Sequence, residues 1–469
     1  MWRFSKLVGI LVGLNLFSHH VPVASALDLD PTQPSQLKDS AKKVADGLMK
    51  LYADTDGKTT KILSGIPGML PRFSDEGYYW WEAGAMFGQI IEYWYYTKDA
   101  SYNNLITDGM TYQFGEALDL NPANQTKDMG NDDQLFWAFT MMSAAELNFP
   151  DPVGGKPGWL TMAQSVFNQL VIRWYRYGVQ NCGGGLRWQL DVLHQGWDYK
   201  NTPSNGGFFQ LSARLAKYTG NHTYAEWAEK VYDWMAQSPL LTKDYQVYDG
   251  TDVKNECIDA ARLPWTYNYG IMIAGASYMY NYTNGSDIWR ERLQGFINHT
   301  AQFFPEQNSG ILTEIACETA NKCDIDQLSF KAYLTRWLAV AAQLAPFTYD
   351  QIMPRLQISA RAAAKQCGDG TQCGSHFYTP VTDGNFGVGQ QMSALSVISA
   401  NLISTVPGPY TVNTGGTSKG NPNASTGAEA PPLPDFITME VTTADKAGAG
   451  ILTALVIGGL LLGGYFMIS

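Results

Sequence analysis

The sequence predicts an all-α protein in which one domain, residues 27–403, folds as an (α/α)6 barrel of six helical hairpins. Three observations predict it. Apolar residues recur at helical spacing from Ser35 to Asn401 and divide into about twelve segments. Alternate segments differ in kind, one set carrying a polar stripe and the other apolar on several faces. No internal repeat of the sort an α-solenoid requires runs through the chain, so one closed ring accommodates the hairpins better than an open stack.

The segments fall near 35–52, 78–97, 101–118, 132–148, 158–178, 205–219, 223–238, 266–282, 285–304, 326–345, 350–366 and 387–402. Turn-rich runs such as Asn121-Pro122-Ala123-Asn124 and Cys182-Gly183-Gly184-Gly185 separate them. Odd-numbered segments, such as Lys38 to Leu51 and Tyr224 to Met235, have the polar stripe of an outer helix. Even-numbered ones, such as Tyr79-Trp80-Trp81-Glu82-Ala83-Gly84-Ala85-Met86 and Gly206-Gly207-Phe208-Phe209, read as the inner ring. Polar residues gather where inner helices begin: Asp75, Glu76 and Glu82; Asn131 to Gln134; Asp198 to Asn205; Tyr267 and Asn268; Asp326, Gln327 and Lys331; Asn385 and Gln390. In an alternating barrel these starts converge on one mouth. There the helix dipoles favour an ionised carboxylate.

The two ends of the chain set its compartment. Residues 1–26 form a secretory signal, with Arg3 and Lys6, an apolar stretch from Leu7 to Phe17, and Ala24-Ser25-Ala26 for cleavage. Residues 404–444 are rich in Pro, Gly, Ser and Thr and read as a solvated stalk. Residues 445–469 read as a GPI attachment signal: small residues around Asp445, Ala447 and Gly448, then an apolar tail with only Ser469 beyond it. A spanning helix would carry a basic anchor there. The expected location is the outer face of the plasma membrane or the cell wall, reached through the ER. Six sequons, at Asn124, Asn221, Asn281, Asn284, Asn298 and Asn423, fit that route as glycosylation sites. So do six cysteines. Spacing suggests Cys317 with Cys323 and Cys367 with Cys373, leaving Cys182 for Cys257, although six cysteines allow fifteen connectivities.

The net charge is −11, and −13 once Arg3 and Lys6 leave with the signal, which argues against nucleic acid. No nucleotide loop or metal-ligand spacing occurs, so neither a cofactor nor a metal is expected, and a monomer suffices. His194 and His376 lack an obvious Ser or Cys partner. Fourteen Trp and 26 Tyr would fill a large helical core, and some could wall a sugar cleft.

Asp132 and Asp133 are adjacent carboxylates opening the fourth segment. Two acids about 5–5.5 Å apart are what a retaining glycosidase needs, one as nucleophile and one as acid/base. The plainer reading is a capping cluster, with Asn131 as cap and Gln134 reaching back.

The runs Tyr79-Trp80-Trp81-Glu82-Ala83-Gly84-Ala85-Met86, Asn131-Asp132-Asp133-Gln134, Gly184-Gly185-Leu186-Arg187-Trp188-Gln189, Asn201-Thr202-Pro203-Ser204-Asn205-Gly206, Trp265-Thr266-Tyr267-Asn268-Tyr269-Gly270 and Asp326-Gln327-Leu328-Ser329-Phe330-Lys331 occur in this order. Together they resemble glycoside hydrolase family 76, the endo-α-1,6-mannanases, and within it the GPI-anchored fungal members of cell-wall assembly. The resemblance covers residues 27–403. It implies the same barrel and a retaining reaction, with Asp132 as nucleophile and Asp133 as acid/base. Trp81, Asn131, Gln134, Asn201, Asn205, Tyr267 and Lys331 become candidates for substrate binding. Tyr269 departs from many bacterial members, which have an amide there. The implied partners are α-mannoside glycans, either α-1,6-mannan or the mannosyl core of a GPI glycan. β-Glucan is implied as acceptor if the enzyme transfers glycoproteins to the wall. The alternative is a catalytically silent, mannan-binding wall protein.

Overall fold

The computed structural model describes residues 26–55, 59–71, 77–368, 371–427 and 442–468. The expected signal up to residue 25, together with Asp75 and Glu76, lies outside them. Twelve helices make the body: α1 (Pro34–Lys50), α2 (Trp80–Thr97), α3 (Asn103–Tyr112), α4 (Asn131–Glu146), α5 (Trp159–Arg173), α6 (Thr202–Thr219), α7 (His222–Gln237), α8 (Thr266–Tyr282), α9 (Asp287–His299), α10 (Phe330–Leu344), α11 (Tyr349–Gln366) and α12 (Val388–Ser399). The even helices touch in a closed ring, α2 on α4, α6, α8, α10 and α12 in turn, with α12 back against α2. The odd helices pack outside them. This is the (α/α)6 barrel.

Burial follows the patterning. α1 buries one stripe, Leu37, Ala41, Val44, Ala45 and Leu48, at the spacing of a single helix face. α2 buries sixteen of its eighteen residues, so every face of it meets protein, as an inner helix requires. Several elements are shorter than their periodicity suggested. α3 stops at Tyr112, and Leu118 and Leu120 take positive φ in the turns that follow. α5 ends in a π turn, Trp174–Gly178. Three small antiparallel sheets were not expected: β1 (Ala53–Thr55) with β2 (Thr60–Ile62); β3 (Tyr199–Asn201), β4 (Gly250–Asp252) and β5 (Ala260–Ala261); β6 (Cys367–Gly368) with β7 (Gln372–Cys373). Strands of two or three residues are too short to leave an alternating signal. The disulfides are Cys182–Cys257, Cys317–Cys323 and Cys367–Cys373.

Where the inner helices end, opposite their starts, the barrel axis is filled by two buried ion pairs. Arg336 grips Glu92 (2.7 and 2.8 Å) and Arg214 grips Glu146 (2.7 and 3.1 Å), while the Tyr278 hydroxyl donates to Glu146 (2.7 Å). The chain after α12 closes over this end. Residues 406–427, expected to begin a free stalk, instead lie on the domain. The Tyr410 N–H donates to the Glu146 carbonyl (2.7 Å) and the Val412 N–H to that of Tyr218 (3.0 Å). Ser418 Oγ then bonds Asp151 (2.7 Å), and the Asn421 N–H reaches Gln164 on α5 (2.7 Å). Asn168, further along α5, donates to the carbonyls of Pro422 and Ala424 (2.9 and 2.7 Å). Side-chain capture of backbone groups leaves no periodic trace in the sequence. The rest of the stalk, residues 428–441, is outside the described residues.

A last helix, α13 (Thr443–Ile468), exposes Ile451, Leu455 and Leu460. Among the described residues no helix is long and apolar enough to cross a membrane.

Candidate active site

The mouth of the barrel holds a cleft of about 420 Å³. Its walls come from the starts of five inner helices: Tyr79 and Trp81; Asp132, Asp133 and Phe136; Asn201 and Pro203; Tyr267; and Asp326 with Phe330. Trp188, Gln189, Tyr199 and Asp249 complete it from the loops around the β3–β4–β5 sheet, and Asp128 from the loop before α4. The sixth inner helix contributes nothing, since Gln390 donates to Asn385 (2.9 Å) and neither lines the cleft. Two aromatic walls face the acids. Tyr267 stacks on Phe330 with centroids 3.9 Å apart, and Trp81 leans on Phe136 at 4.6 Å.

The acid pair is placed by its helix start. α4 is capped at Gly130, whose N–H donates to Asp133 Oδ2 at 2.5 Å, while the Asp133 N–H donates to Asp132 Oδ1 at 3.0 Å. Asp133, not Gln134, is therefore the residue that reaches back, and Asn131 is not the cap. Both carboxylates approach Gly130: a Cβ there would stand 2.4 Å from Asp132 Oδ1 and 3.1 Å from Asp133 Oδ2. Only glycine leaves that space open. Sharing one Gly130 face, these two oxygens stand no more than about 5.5 Å apart, an upper limit compatible with the carboxyl spacing of a retaining pair. The second oxygen of Asp132 accepts from Asn201 Nδ2 at 2.7 Å.

Electrostatics divides the two acids. Burial pushes the Asp132 carboxyl up to about 7, opposed by the hydrogen bonds from Asn201 and the Asp133 amide. Asp133 is pushed well above the usual carboxylate range, by burial first and then by the charge of Asp132. Asp132 thus ionises first and Asp133 keeps its proton, the order a nucleophile and an acid require. Two further carboxyls raise the negative potential. Burial lifts Asp326 to about 7, helped by Asp324 and Asp132 and opposed by a hydrogen bond from the Trp81 indole. Burial also raises Asp249, against hydrogen bonds from Tyr199 (2.9 Å) and Asn268 (3.2 Å).

The other expected binding residues divide by position. Trp81, Asn201 and Tyr267 line the cleft. Asn131 and Gln134 do not: both accept from Arg173 (2.9 and 2.7 Å), and their amides donate to the carbonyls of Arg187 and Asp119. They lock the start of α4 onto α5. Asn205 is wholly buried, bonded to both backbone groups of Leu186. Lys331 is committed to Glu318 (2.8 Å) and the Ser375 carbonyl (2.5 Å) behind the wall. Asp249, Tyr199 and Trp188 were not picked out, because they sit in connections without periodicity. The polar run around Tyr199, and for Trp188 the run from Gly184 to Gln189, were the available hints. Among the described residues no three His, Cys, Asp or Glu side chains are grouped to hold a metal ion.

The sequence profile of glycosyl hydrolase family 76 matches residues 36–413. The chain belongs to that family. Among family 76 relatives, mannan endo-1,6-alpha-mannosidase DCW1 of Saccharomyces cerevisiae is 44% identical over 458 residues, which is 96% of either chain. The crystal structure of Dfg5 from Chaetomium thermophilum in complex with glucosamine superposes with a TM-score of 0.78 at 39% identity, covering 85% of this chain and 97% of that one. An inactive variant of the family 76 alpha-1,6-mannanase of Salegentibacter, with two consecutive aspartates replaced and alpha-1,6-mannotetrose bound, gives a TM-score of 0.63 at 16% identity over 78% and 98% of the two chains. At that identity it supports the fold alone.

Proposed function

We propose that this chain is a retaining endo-α-1,6-mannosidase whose covalent intermediate can also be passed to a second sugar. The observation that carries the reading is the acid pair at Gly130: one carboxylate held for attack by Asn201, its neighbour kept protonated. Asp132 Oδ2 attacks the anomeric carbon and the glycosidic C–O bond breaks. Asp133 gives its proton to the departing oxygen, while its Oδ2 stays on the Gly130 amide. In the second half Asp133 takes a proton from the incoming hydroxyl, which displaces Asp132 with net retention. The tyrosine–phenylalanine stack and Trp81 offer flat apolar faces to the sugar rings.

The substrate named for the relatives is mannan linked α-1,6, and endo action on it requires the cleft to take an internal segment of that chain. Water as acceptor gives hydrolysis. A β-glucan hydroxyl would give transfer of a GPI-linked glycoprotein to the wall, the role expected of a chain with a signal and a lipid anchor. The exposed apolar side chains of α13 suit a segment exchanged for lipid during export.

The test is to incubate the protein with α-1,6-mannotetraose, with and without a GPI core glycan and a β-glucan oligosaccharide, and to weigh the products and follow their anomers. Products of the α configuration, some carrying the glucan mass, are expected. Only water-derived products would reduce the reading to hydrolysis, and inverted anomers would sink the retaining assignment.

A further inference from the structure

Lys200 is wholly buried beside the mouth with no carboxylate paired to it among the described residues, and burial, then the charge of Arg187, pushes its amine down to about 7. Its ammonium donates to three backbone carbonyls, those of Gly178 and Asn181, each at 2.8 Å, and Gly184 at 2.5 Å. The first belongs to the π turn that ends α5, where a cation is favoured. The third belongs to a loop that could not be built otherwise. Gly185 has φ +84°, and a Cβ on it would stand 2.2 Å from the Trp234 ring. Trp234 covers the other side of the ammonium at 5.7 Å, and Cys182–Cys257 ties the loop to the connection after β4.

Lys200 is the middle residue of β3. Side chains of a strand alternate between faces, so with Lys200 pointing down, Tyr199 and Asn201 point into the cleft. Each of them grips a carboxylate: Asn201 holds Asp132 at 2.7 Å and Tyr199 holds Asp249 at 2.9 Å. Opposite Lys200, Thr251 of β4 bonds the Asp259 carbonyl, so the sheet is fixed from both sides.

We infer that Lys200 is a positioning residue for the nucleophile: by clamping β3 to the loop carbonyls it sets the height at which Asn201 meets Asp132, and so helps to keep Asp132 ionised. The inference deepens the reading of this site as a retaining glycosidase. The groups that face Asp132 are Asp133 from α4, Asn201 and Tyr199 from β3, Asp249, Tyr267 from α8 and Asp326. Arg187 is the charged side chain whose field acts on Lys200. Loosening Asn201 removes one of the hydrogen bonds that favour ionised Asp132 while leaving the acidic neighbours in place. The acid limb of the pH profile must then move to higher pH.

The experiment is a double-mutant cycle of Lys200→Met with Asn201→Ala in the full-length protein, followed by turnover of α-1,6-mannotetraose against pH. Lys200→Met is expected to lower kcat on the order of 10- to 100-fold, with KM little changed and the acid limb displaced upward. In the Asn201→Ala background it should add almost nothing, because the two act as a unit. Fully additive effects, or an unmoved acid limb beside a mere loss of melting temperature, would overturn the inference. Should the methionine variant fail to fold, Lys200→Gln, which retains an N–H donor, takes its place in the cycle. A second readout needs no substrate. With ¹³C-labelled aspartate carboxyls, the Asp132 resonance is assigned by its loss in Asp132→Asn. It should titrate at higher pH in the Lys200 variant than in the unaltered protein. Unchanged titration sinks the inference whatever the substrate proves to be, whereas an unaltered protein without turnover counts only against the proposed function.

Discussion

The two ends of the barrel axis are both built around buried carboxylates and treat them oppositely. At the closed end Glu92 and Glu146 each meet an arginine at 2.7 Å. At the mouth Asp132, Asp133, Asp249 and Asp326 share one cleft with no cationic partner among the described residues. All six are carboxylates drawn back from bulk water, the glutamates buried and the aspartates half-buried in the cleft, and the partner separates them further. A paired acid has its charge met by the arginine and serves as a strut, although one that is costly to break. An unpaired acid desolvated by the cleft walls has its pKa raised, for Asp132 and Asp326 to about 7, where proton transfer is useful. The mouth also shows why adjacent inner helices are not equivalent. Glu82 makes the same third-position bond back to its cap, Tyr79, as Asp133 makes to Gly130, at 2.8 and 2.5 Å. Yet Glu82 is fully buried and lines nothing, whereas Asp133 opens into the cleft.

The contrast breaks most sharply at Asp132, the proposed nucleophile. Asp132→Asn should cost on the order of 10⁴-fold or more in kcat without lowering the melting temperature. Full activity in that variant would overturn the assignment of Asp132 as nucleophile. Asp133→Asn should lose about 10²–10⁴-fold on mannotetraose, and much less on an aryl mannoside whose leaving group needs no proton. Equal losses on both substrates would contradict its role as acid.

At the closed end the expected damage is to stability. Glu92→Gln strands Arg336 and should cost about 3–5 kcal/mol, read as a lower denaturant midpoint. Its mouth counterpart, Asp326→Asn, removes like charge from the cleft and keeps an acceptor for the Trp81 indole. It should gain about 0.5–2 kcal/mol while slowing turnover. Two variants shifting stability in the same direction would erase the distinction drawn between the ends.

The smallest effect is on stability against pH. Asp132 and Asp326, each near 7, and Glu314, near 8, are raised above their unfolded values by burial. Their stabilising share is complete below about pH 4 and is lost as pH rises through the folded values, because the native state holds the extra protons. Asp383, held low against the pull of burial by hydrogen bonds from His376, Ser375 and nearby amides, acts in the opposite sense at the acid extreme. The melting temperature should be higher at pH 5 than at pH 8, and Asp326→Asn should narrow the gap.

Helix count, the order of inner and outer helices and the acid pair were legible in the sequence because each is written locally, in a 3.6-residue period or a single dipeptide. The residues chosen for the site by resemblance were less secure. Trp81, Asn201 and Tyr267 reach the cleft, but Asn131, Gln134, Asn205 and Lys331 hold other parts of the wall upright. A polar residue at a helix start reads the same whether it faces substrate or a neighbouring loop.

What the sequence determined by itself was an alternating ring of helices with two neighbouring acids at one helix start, since periodicity and adjacency survive without coordinates. Tertiary structure alone decided that Asp249 and Tyr199 join those acids, and that residues 406–427 strap the domain instead of leaving it. It also decided which carboxylates receive an arginine. Those outcomes depend on segments far apart in the chain meeting in space, where burial and the identity of the nearest charge set each group's protonation.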